Sequence, residues 1–388
     1  MKKHHKEILE WMKITLYLGI IGFGGFSVLA YVKKLLVEEK KYITQKFYLN
    51  AVASISPLPG AMAVNMITFV GAELYGFWGA ILGVITFITP SFLLMILLAK
   101  WYIKYGNTPY IEFLTNMFIP LILVFITNAL FKISKGVFKE KISYVFTISA
   151  FLMLLFLKIN VIYVILLFGL LGMILNKEEG HVEDIHLRRV PKSNKLYVTL
   201  FLISIALISI YVFYKNPFIF KMFYNFFLLG ATGFGSGYSV IAVMDELIVR
   251  KLQWLNVKEF TTALIVGQIT PGPVMITATF VSYYLKGFLG ALYGTLGIFL
   301  TPMTLAFVLS KYQSKIRDKK WFVGFVKGVN PALVAILLRL IVKYSMILPL
   351  NIFSILILIS SIIFIIKLNK PLYAVFSTIA LGTIAYFI

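Results

Sequence analysis

Apolar runs of about twenty residues follow one another from residue 11 to residue 388, separated by short stretches in which lysine and arginine collect. A run of that length is what a helix needs to cross a hydrocarbon core about 30 Å thick. The pattern therefore predicts an all-α integral membrane chain. Two of the runs are interrupted: Ser56-Pro57-Leu58-Pro59-Gly60 breaks the one at 47–75, and Gln268-Ile269-Thr270-Pro271-Gly272-Pro273 breaks the one at 259–285. Proline removes an amide donor and clashes with the preceding turn, so a helix stops or kinks there. A plain proline kink would account for one break. Two call for more, because between 69–80 and 280–291 seven of the twelve positions are identical, among them Gly76/Gly287, Gly79/Gly290 and Ala80/Ala291.

The duplication extends in both directions. Before each break lies a glycine-rich span, 11–32 with Gly22-Phe23-Gly24-Gly25 and 221–244 with Gly233-Phe234-Gly235-Ser236-Gly237, followed by a charged connection ending in Tyr42 or Trp254. After each break come helices at 76–100 and 287–310, passing Thr89-Pro90 and Thr301-Pro302, and then three further spans: 111–131, 142–157 and 161–175 in the first copy, 322–338, 344–366 and 372–388 in the second. The small residues Gly76, Gly79, Ala80 and Gly83, and their counterparts, share one helix face and suit close helix packing. A polar linker at 176–195 and an unpaired span at 196–214 join the copies, giving repeats at 1–175 and 220–388 with a connector at 176–219. The expected fold is about 13 transmembrane helices in two six-helix repeats, each with a Pro-Gly-broken helix.

Charge sets the orientation. With every segment crossing and a cytoplasmic N-terminus, 23 lysines and arginines fall inside and 13 outside; with the Pro-Gly segments dipping in and returning, the tally is 16 against 20. Cytoplasmic loops carry the excess of positive charge, so crossing is expected, and six spans plus an odd connector make the repeats inverted. The loop at 33–46, with five lysines placed outside, runs against the rule. A formal charge of +22 is explained by these loops and requires no nucleic acid. The basic start continues into a span without a small-residue cleavage site and reads as a retained cytoplasmic end.

Chemistry is sparse within the spans. There is no cysteine, and all four histidines lie at the N-terminus or in the linker. No metal-ligand spacing, nucleophile motif or phosphate loop occurs, so neither cofactor nor metal is expected and an enzyme is the weaker class. Glu73, Arg339 and Lys343 are the ionisable residues near span ends, where long side chains reach for the interface; Glu73 and Arg339 are kept as candidates for coupling or charge. Paired interrupted segments at matching positions point to a transporter's binding site, and a helix restarting after a break directs amides and a positive dipole end at an anion. The candidate substrate residues are Gly24, Gly25, Ser56, Pro59, Gly60 and Asn65 in the first copy, and Gly235, Gln268, Thr270, Pro271, Gly272 and Thr277 in the second.

The duplicated Phe-Gly-Gly span, basic connection, Pro-Gly break and Gly-x-x-Gly-Ala helix resemble the chromate ion transporter family in its long, two-domain form, over almost the whole chain. The family's Gln-x-x-Pro-Gly-Pro is matched at Gln268, Pro271, Gly272 and Pro273, while Thr277 replaces its second Gln; in the first copy Ser56, Ala61 and Asn65 replace Gln, Pro and Gln around Pro59 and Gly60. The resemblance implies a multi-pass protein of a prokaryotic plasma (inner) membrane that exports chromate, with sulfate as its mimic, driven by membrane potential; a homodimer is left open. Two other readings stand beside it: a transporter of another anion or small metabolite on the same fold, and a membrane enzyme acting on lipid or a polyprenyl phosphate through Arg339 and Glu73.

Overall fold

The computed structural model describes residues 2–22, 25–56, 58–157, 159–176, 214–233, 238–316, 319–368 and 370–388. The connector at 196–214 and the linker before it fall almost wholly outside these residues. The first copy comprises α1 (Lys2–Ile21), α2 (Gly25–Lys33), α3 (Gln45–Ile55), α4 (Met62–Tyr105), α5 (Pro109–Met117), α6 (Ile119–Val137), α7 (Lys141–Phe156) and α8 (Val161–Leu175). The second comprises α9 (Pro217–Gly230), α10 (Tyr238–Met244), α11 (Val257–Ile269), α12 (Thr277–Ile316), α13 (Lys320–Met346), α14 (Ile352–Ser361) and α15 (Pro371–Phe387). Among the described residues, four helical stretches are long and apolar enough to cross a membrane: Met62–Tyr105, Pro109–Val137, Val274–Ser310 and Lys320–Met346. With a mean hydropathy of +0.92, the chain is a helical, multi-pass membrane protein. Exposed apolar side chains such as Leu97, Ile148 and Leu170 suit a lipid-facing surface.

The duplication read from sequence is also conformational. Each charged connection opens as π-helical turns, Lys34–Glu39 and Asp245–Lys251. Each closes on a non-glycine residue with positive φ, Lys41 at 53° and Gln253 at 52°. The bonds Lys40 N–H to Leu35 O (2.9 Å) and Tyr42 N–H to Leu36 O (2.8 Å) recur as Leu252 N–H to Leu247 O (2.8 Å) and Trp254 N–H to Ile248 O (2.9 Å). Glycines 60 and 272 have φ of 100° and 104°, and glycines 76 and 287 of 66° and 59°. Both connections were expected as plain polar loops, since π-turns leave no periodicity that a short charged stretch can display.

The chain divides into two compact units, 1–96 with 178–237 and 270–323, and 97–177 with 238–269 and 324–388. In the first unit the glycine and proline breaks are the tips of hairpins. Glu10 pairs with Lys40 at 3.4 Å, Trp11 Nε1 donates to Gly79 O at 2.8 Å, and the Trp11 and Tyr75 ring centroids lie 6.1 Å apart. Glu10, Lys40 and the Tyr75–Gly79 turn therefore share one level. The Tyr42 hydroxyl and Lys40 hold the Glu10 carboxyl below its ordinary range, while burial and that same carboxylate push Tyr42 up to about 12. From this level the chain leaves along α1, turns after Gly22 and returns by α2; it leaves again along α3, turns at 56–61 and returns along α4 to Gly76. Arm length gives the reason: α3, with 11 residues, is about 16 Å long, roughly half a hydrocarbon core. The glycine span and the proline-broken segment, each expected as one crossing, are instead folded back on themselves as hairpins. Beyond Gly76, whose φ and ψ are 66° and −148°, the helix from Phe77 to Tyr105 is about 43 Å long, enough to cross a hydrocarbon core.

Of the second copy, α9 and α12 lie in the same unit. The Lys286 ammonium lies 5.0 Å from the Phe218 ring centroid, and Thr301 Oγ1 donates to Phe227 O at 2.7 Å. Thus α9 runs alongside the part of α12 beyond Gly287, as α1 runs alongside α4 through Trp11 to Gly79 and the Thr15–Thr86 hydroxyl pair at 2.6 Å.

In the second unit, α8 and α13 meet backbone to backbone at Gly172, Gly324 and Gly328, the close approach that small residues allow. Lys327 bonds Glu140 at 2.7 Å, and Lys258 pairs with Glu112. The span expected to begin at residue 344 does not; Tyr344 belongs to α13, which runs on to Met346 because no breaker intervenes, and Asn351 caps the next helix by accepting from Ser354 N–H at 2.8 Å.

Candidate functional site

The four hairpin tips of the first unit meet in pairs. Gly60 N–H, at the first Pro-Gly break, donates to Gly233 O at 2.7 Å, and Gly272 N–H, at the second, donates to Gly22 O at 2.5 Å. Each proline break is thus tied to the glycine break of the other copy, which the duplicated sequence pattern alone does not reveal. Only glycine adopts the required positive φ cheaply, and neither tip has room for a side chain: a Cβ on Gly60 would run into the Pro302 ring, and one on Gly272 into Ser91 Oγ. The matched Thr-Pro positions on α4 and α12 therefore mark where each long helix receives a tip. Leu58 packs on Ala306 and Leu309, closing the first tip with apolar contact.

Beyond each tip the chain restarts as helix. In the first copy the earliest helical bond runs from Asn65 N–H to Ala61 O at 3.0 Å, so the amides of residues 62–64 precede any helical acceptor. In the second, a 3₁₀ turn at Val274–Ile276 intervenes, with Ile276 N–H on Pro273 O at 2.9 Å. The tips are enclosed: Pro59, Gly60, Ala61, Gly272 and Pro273 are buried, whereas Pro271 is half-buried.

The candidate side chains divide. Asn65 is wholly buried; its Nδ2 donates to Pro59 O at 3.1 Å while Oδ1 has no partner. One end of this candidate substrate residue therefore braces the break, and the other is unspent. Thr277, also buried, donates to Val274 O at 2.9 Å. Thr270 donates to Met95 Sδ at 3.7 Å. Ser56 is exposed at the end of α3. Gln268, in the second unit, ends α11 half-buried, with its Nε2 buried and unbonded. Gly25 opens α2, while Gly24 and Gly235 lie outside the described residues. Ser91 was missed by sequence reasoning; it is wholly buried against Gly272, and its Oγ has no partner. The only signal for it was its place beside Pro90.

The charged candidates lie elsewhere. Glu73 is buried one turn before Gly76 with Oε1 unbonded, about 17 Å along α4 from Met62. It belongs to the hairpin mouth rather than the tip, and it does not reach for solvent as a residue near a span end was expected to. Arg339 lies in the second unit, bridged to Glu246 at 3.2 Å. Among the described residues no three His, Cys, Asp or Glu side chains gather to hold a metal. What the tips offer is backbone amides, a serine hydroxyl and an amide side chain in an enclosed place, donors suited to a small polar ligand.

A family model described as Chromate transporter matches residues 9–173 and again 220–384. An uncharacterized transporter of Methanocaldococcus jannaschii is 25% identical over 98% of this chain and 95% of its own length. The chromate transport protein of Cupriavidus metallidurans is 26% identical over 82% of this chain and 77% of its own, and a probable chromate transport protein of Synechococcus elongatus is 26% identical over 82% and 79%. No solved structure matches the chain.

Proposed function

Because this chain belongs to the chromate transporter family, we propose that it exports divalent tetrahedral oxyanions, chromate first and sulfate as its mimic, from the cytoplasm of a prokaryotic cell. The relatives' names are those of transporters, not enzymes. The observation that carries the reading is the meeting of the tips, Gly60 on Gly233 and Gly272 on Gly22: backbone opened at the middle of a bilayer is tolerated only where it is buried in protein or lines a cavity. Donors of the neutral kind found there read charge and shape and hold an anion without a competing cation. A dianion leaving an inside-negative cell gains about 4.6 kcal/mol per 100 mV, twice the value for one charge, so export needs no coupling ion; Glu73 is the carboxylate available should one take part.

The topology we propose follows the hairpins. If the glycine and the proline segments of both copies re-enter, nine helices cross, the two copies remain inverted, and the ends lie on opposite faces. Then 25 lysines and arginines fall on the N-terminal side and 11 on the other, leaving Lys327 aside. That improves on full crossing, and the five lysines of 33–46 no longer violate the rule. The N-terminal side is the cytoplasm.

Expressed in a chromate-sensitive host, the protein is expected to lower cellular chromate, with excess sulfate reducing the effect; unchanged accumulation in a host with confirmed insertion would move the reading to another substrate. Two substitutions separate binding from bracing. Gln268→Leu is expected to cut flux with little loss of thermal stability, because Gln268 Nε2 has no protein partner. Asn65→Leu is expected to cut flux and also to cost about 1–3 kcal/mol, since Pro59 O would be left unpaired. Equal losses of stability in both would favour a purely structural role for each.

A further inference from the structure

The second unit carries a charged cavity that transport through the tips does not use. It has a volume of about 320 Å³ and lies between the π-helical turns at Asp245–Lys251 and the far half of α13, walled by Asp245, Glu246, Val249, Arg250, Arg339 and Lys343 together with apolar neighbours. Lys343 Nζ is held by both oxygens of Asp245, at 2.8 and 2.7 Å. The two arginines are less well served: Arg250 Nη1 and Arg339 Nη1 approach the same oxygen, Glu246 Oε2, at 3.0 and 3.2 Å. Arg339 Nη1 is nevertheless buried without a hydrogen bond.

Three cations thus face two carboxylates in a half-open pocket, with Arg250 exposed at its rim and Arg339 the more buried of the two guanidiniums. A guanidinium carries five donors in a planar fork, so two guanidiniums sharing one carboxylate oxygen leave most of their donors unspent. For Arg339, whose Nη1 is buried, keeping the charge out of water is costly unless an anion compensates it. We propose that this cavity is a second oxyanion site, in which a tetrahedral dianion sits between Arg250 and Arg339 and takes the fork faces that Glu246 leaves free. Planar, bidentate donation is the geometry in which arginine exceeds lysine for such anions. The cavity holds the ion with a few waters, each needing about 30 Å³. The choice of oxyanion as ligand rests on the transport reading above, whereas the cation excess and the unbonded guanidinium nitrogen do not.

The absence of native cysteine allows a direct test. Val249→Cys places one thiol in the cavity wall, and its alkylation by N-ethylmaleimide is followed on the full-length protein in detergent, in sodium sulfate or in sodium chloride of equal ionic strength. Sulfate is expected to slow alkylation severalfold relative to chloride. In the Arg339→Gln background the sulfate concentration giving half protection is expected to rise about tenfold or more, the loss of a charge-assisted hydrogen bond. Should Arg339→Gln aggregate, Arg339→Lys carries the comparison, since it keeps the charge and loses the fork; protection must still weaken. Equal rates in sulfate and chloride, or protection indifferent to Arg339, would overturn the site. Protection without oxyanion flux in vesicles would leave the cavity standing and remove the transport reading; flux without protection would do the reverse.

Discussion

Gly60→Ala is expected to abolish flux and to lower stability by several kcal/mol, whereas Gly272→Ala loses less of both. At either tip the left-handed backbone, with φ of 100° and 104°, costs a non-glycine residue about 1–2 kcal/mol. What the new Cβ meets then decides between them. At Gly60 it meets the Pro302 ring, fixed by its own backbone and unable to turn aside; at Gly272 it meets Ser91 Oγ, which can change rotamer. Overpacking against a rigid neighbour adds about 1–3 kcal/mol, and displacing the Gly60 tip also strains its bond to Gly233 O. Leucine at either position is expected to eliminate flux. Thermal unfolding of the two alanine variants beside wild type checks the order; equal behaviour would mean that the tips are not held as described.

A second expectation is all or none. Lys40 pairs with Glu10 across the mouth of the first hairpin, so in intact cells an impermeant maleimide is expected to leave Lys40→Cys unlabelled and to label Lys104→Cys, at the far end of α4. In everted vesicles the pattern reverses. Full crossing of the first span puts both positions outside and predicts labelling of both in intact cells. The lysine substitution itself is expected to be tolerated, because an exposed ion pair contributes about 1 kcal/mol at most.

The repeat, the breaks and the small-residue helix faces were legible in the sequence because each rests on local chemistry: proline ends a helix wherever it stands, and glycines 60, 76, 272 and 287 occur where the backbone takes a positive φ. Helix content was legible for the same reason. The route of the chain was not. A segment such as 45–75 has the length of one crossing or of one hairpin, and only tertiary contacts, Trp11 on Gly79 and Glu10 on Lys40, separate the two. The charge count weighed re-entry of the proline segments but not of the glycine segments before them, because the hairpin contacts are invisible to it. Side-chain roles were hidden in a similar way. Asn65 bracing Pro59 O, Thr277 spent on Val274 O, and Asp245 held by Lys343 are each settled by a partner that the local pattern does not name.

The most direct test of oxyanion export is uptake of radiolabelled chromate into everted membrane vesicles carrying the protein, where export appears as accumulation in the lumen. With a lumen-positive potential of 100 mV, about 4.6 kcal/mol favours entry of a dianion, equivalent to an accumulation ratio of about three orders of magnitude. The account predicts uptake that rises with this potential, collapses when an ionophore dissipates it, falls with excess sulfate and is absent for Gly60→Leu. Uptake equal to that of the Gly60→Leu vesicles, or uptake indifferent to the potential, would contradict it.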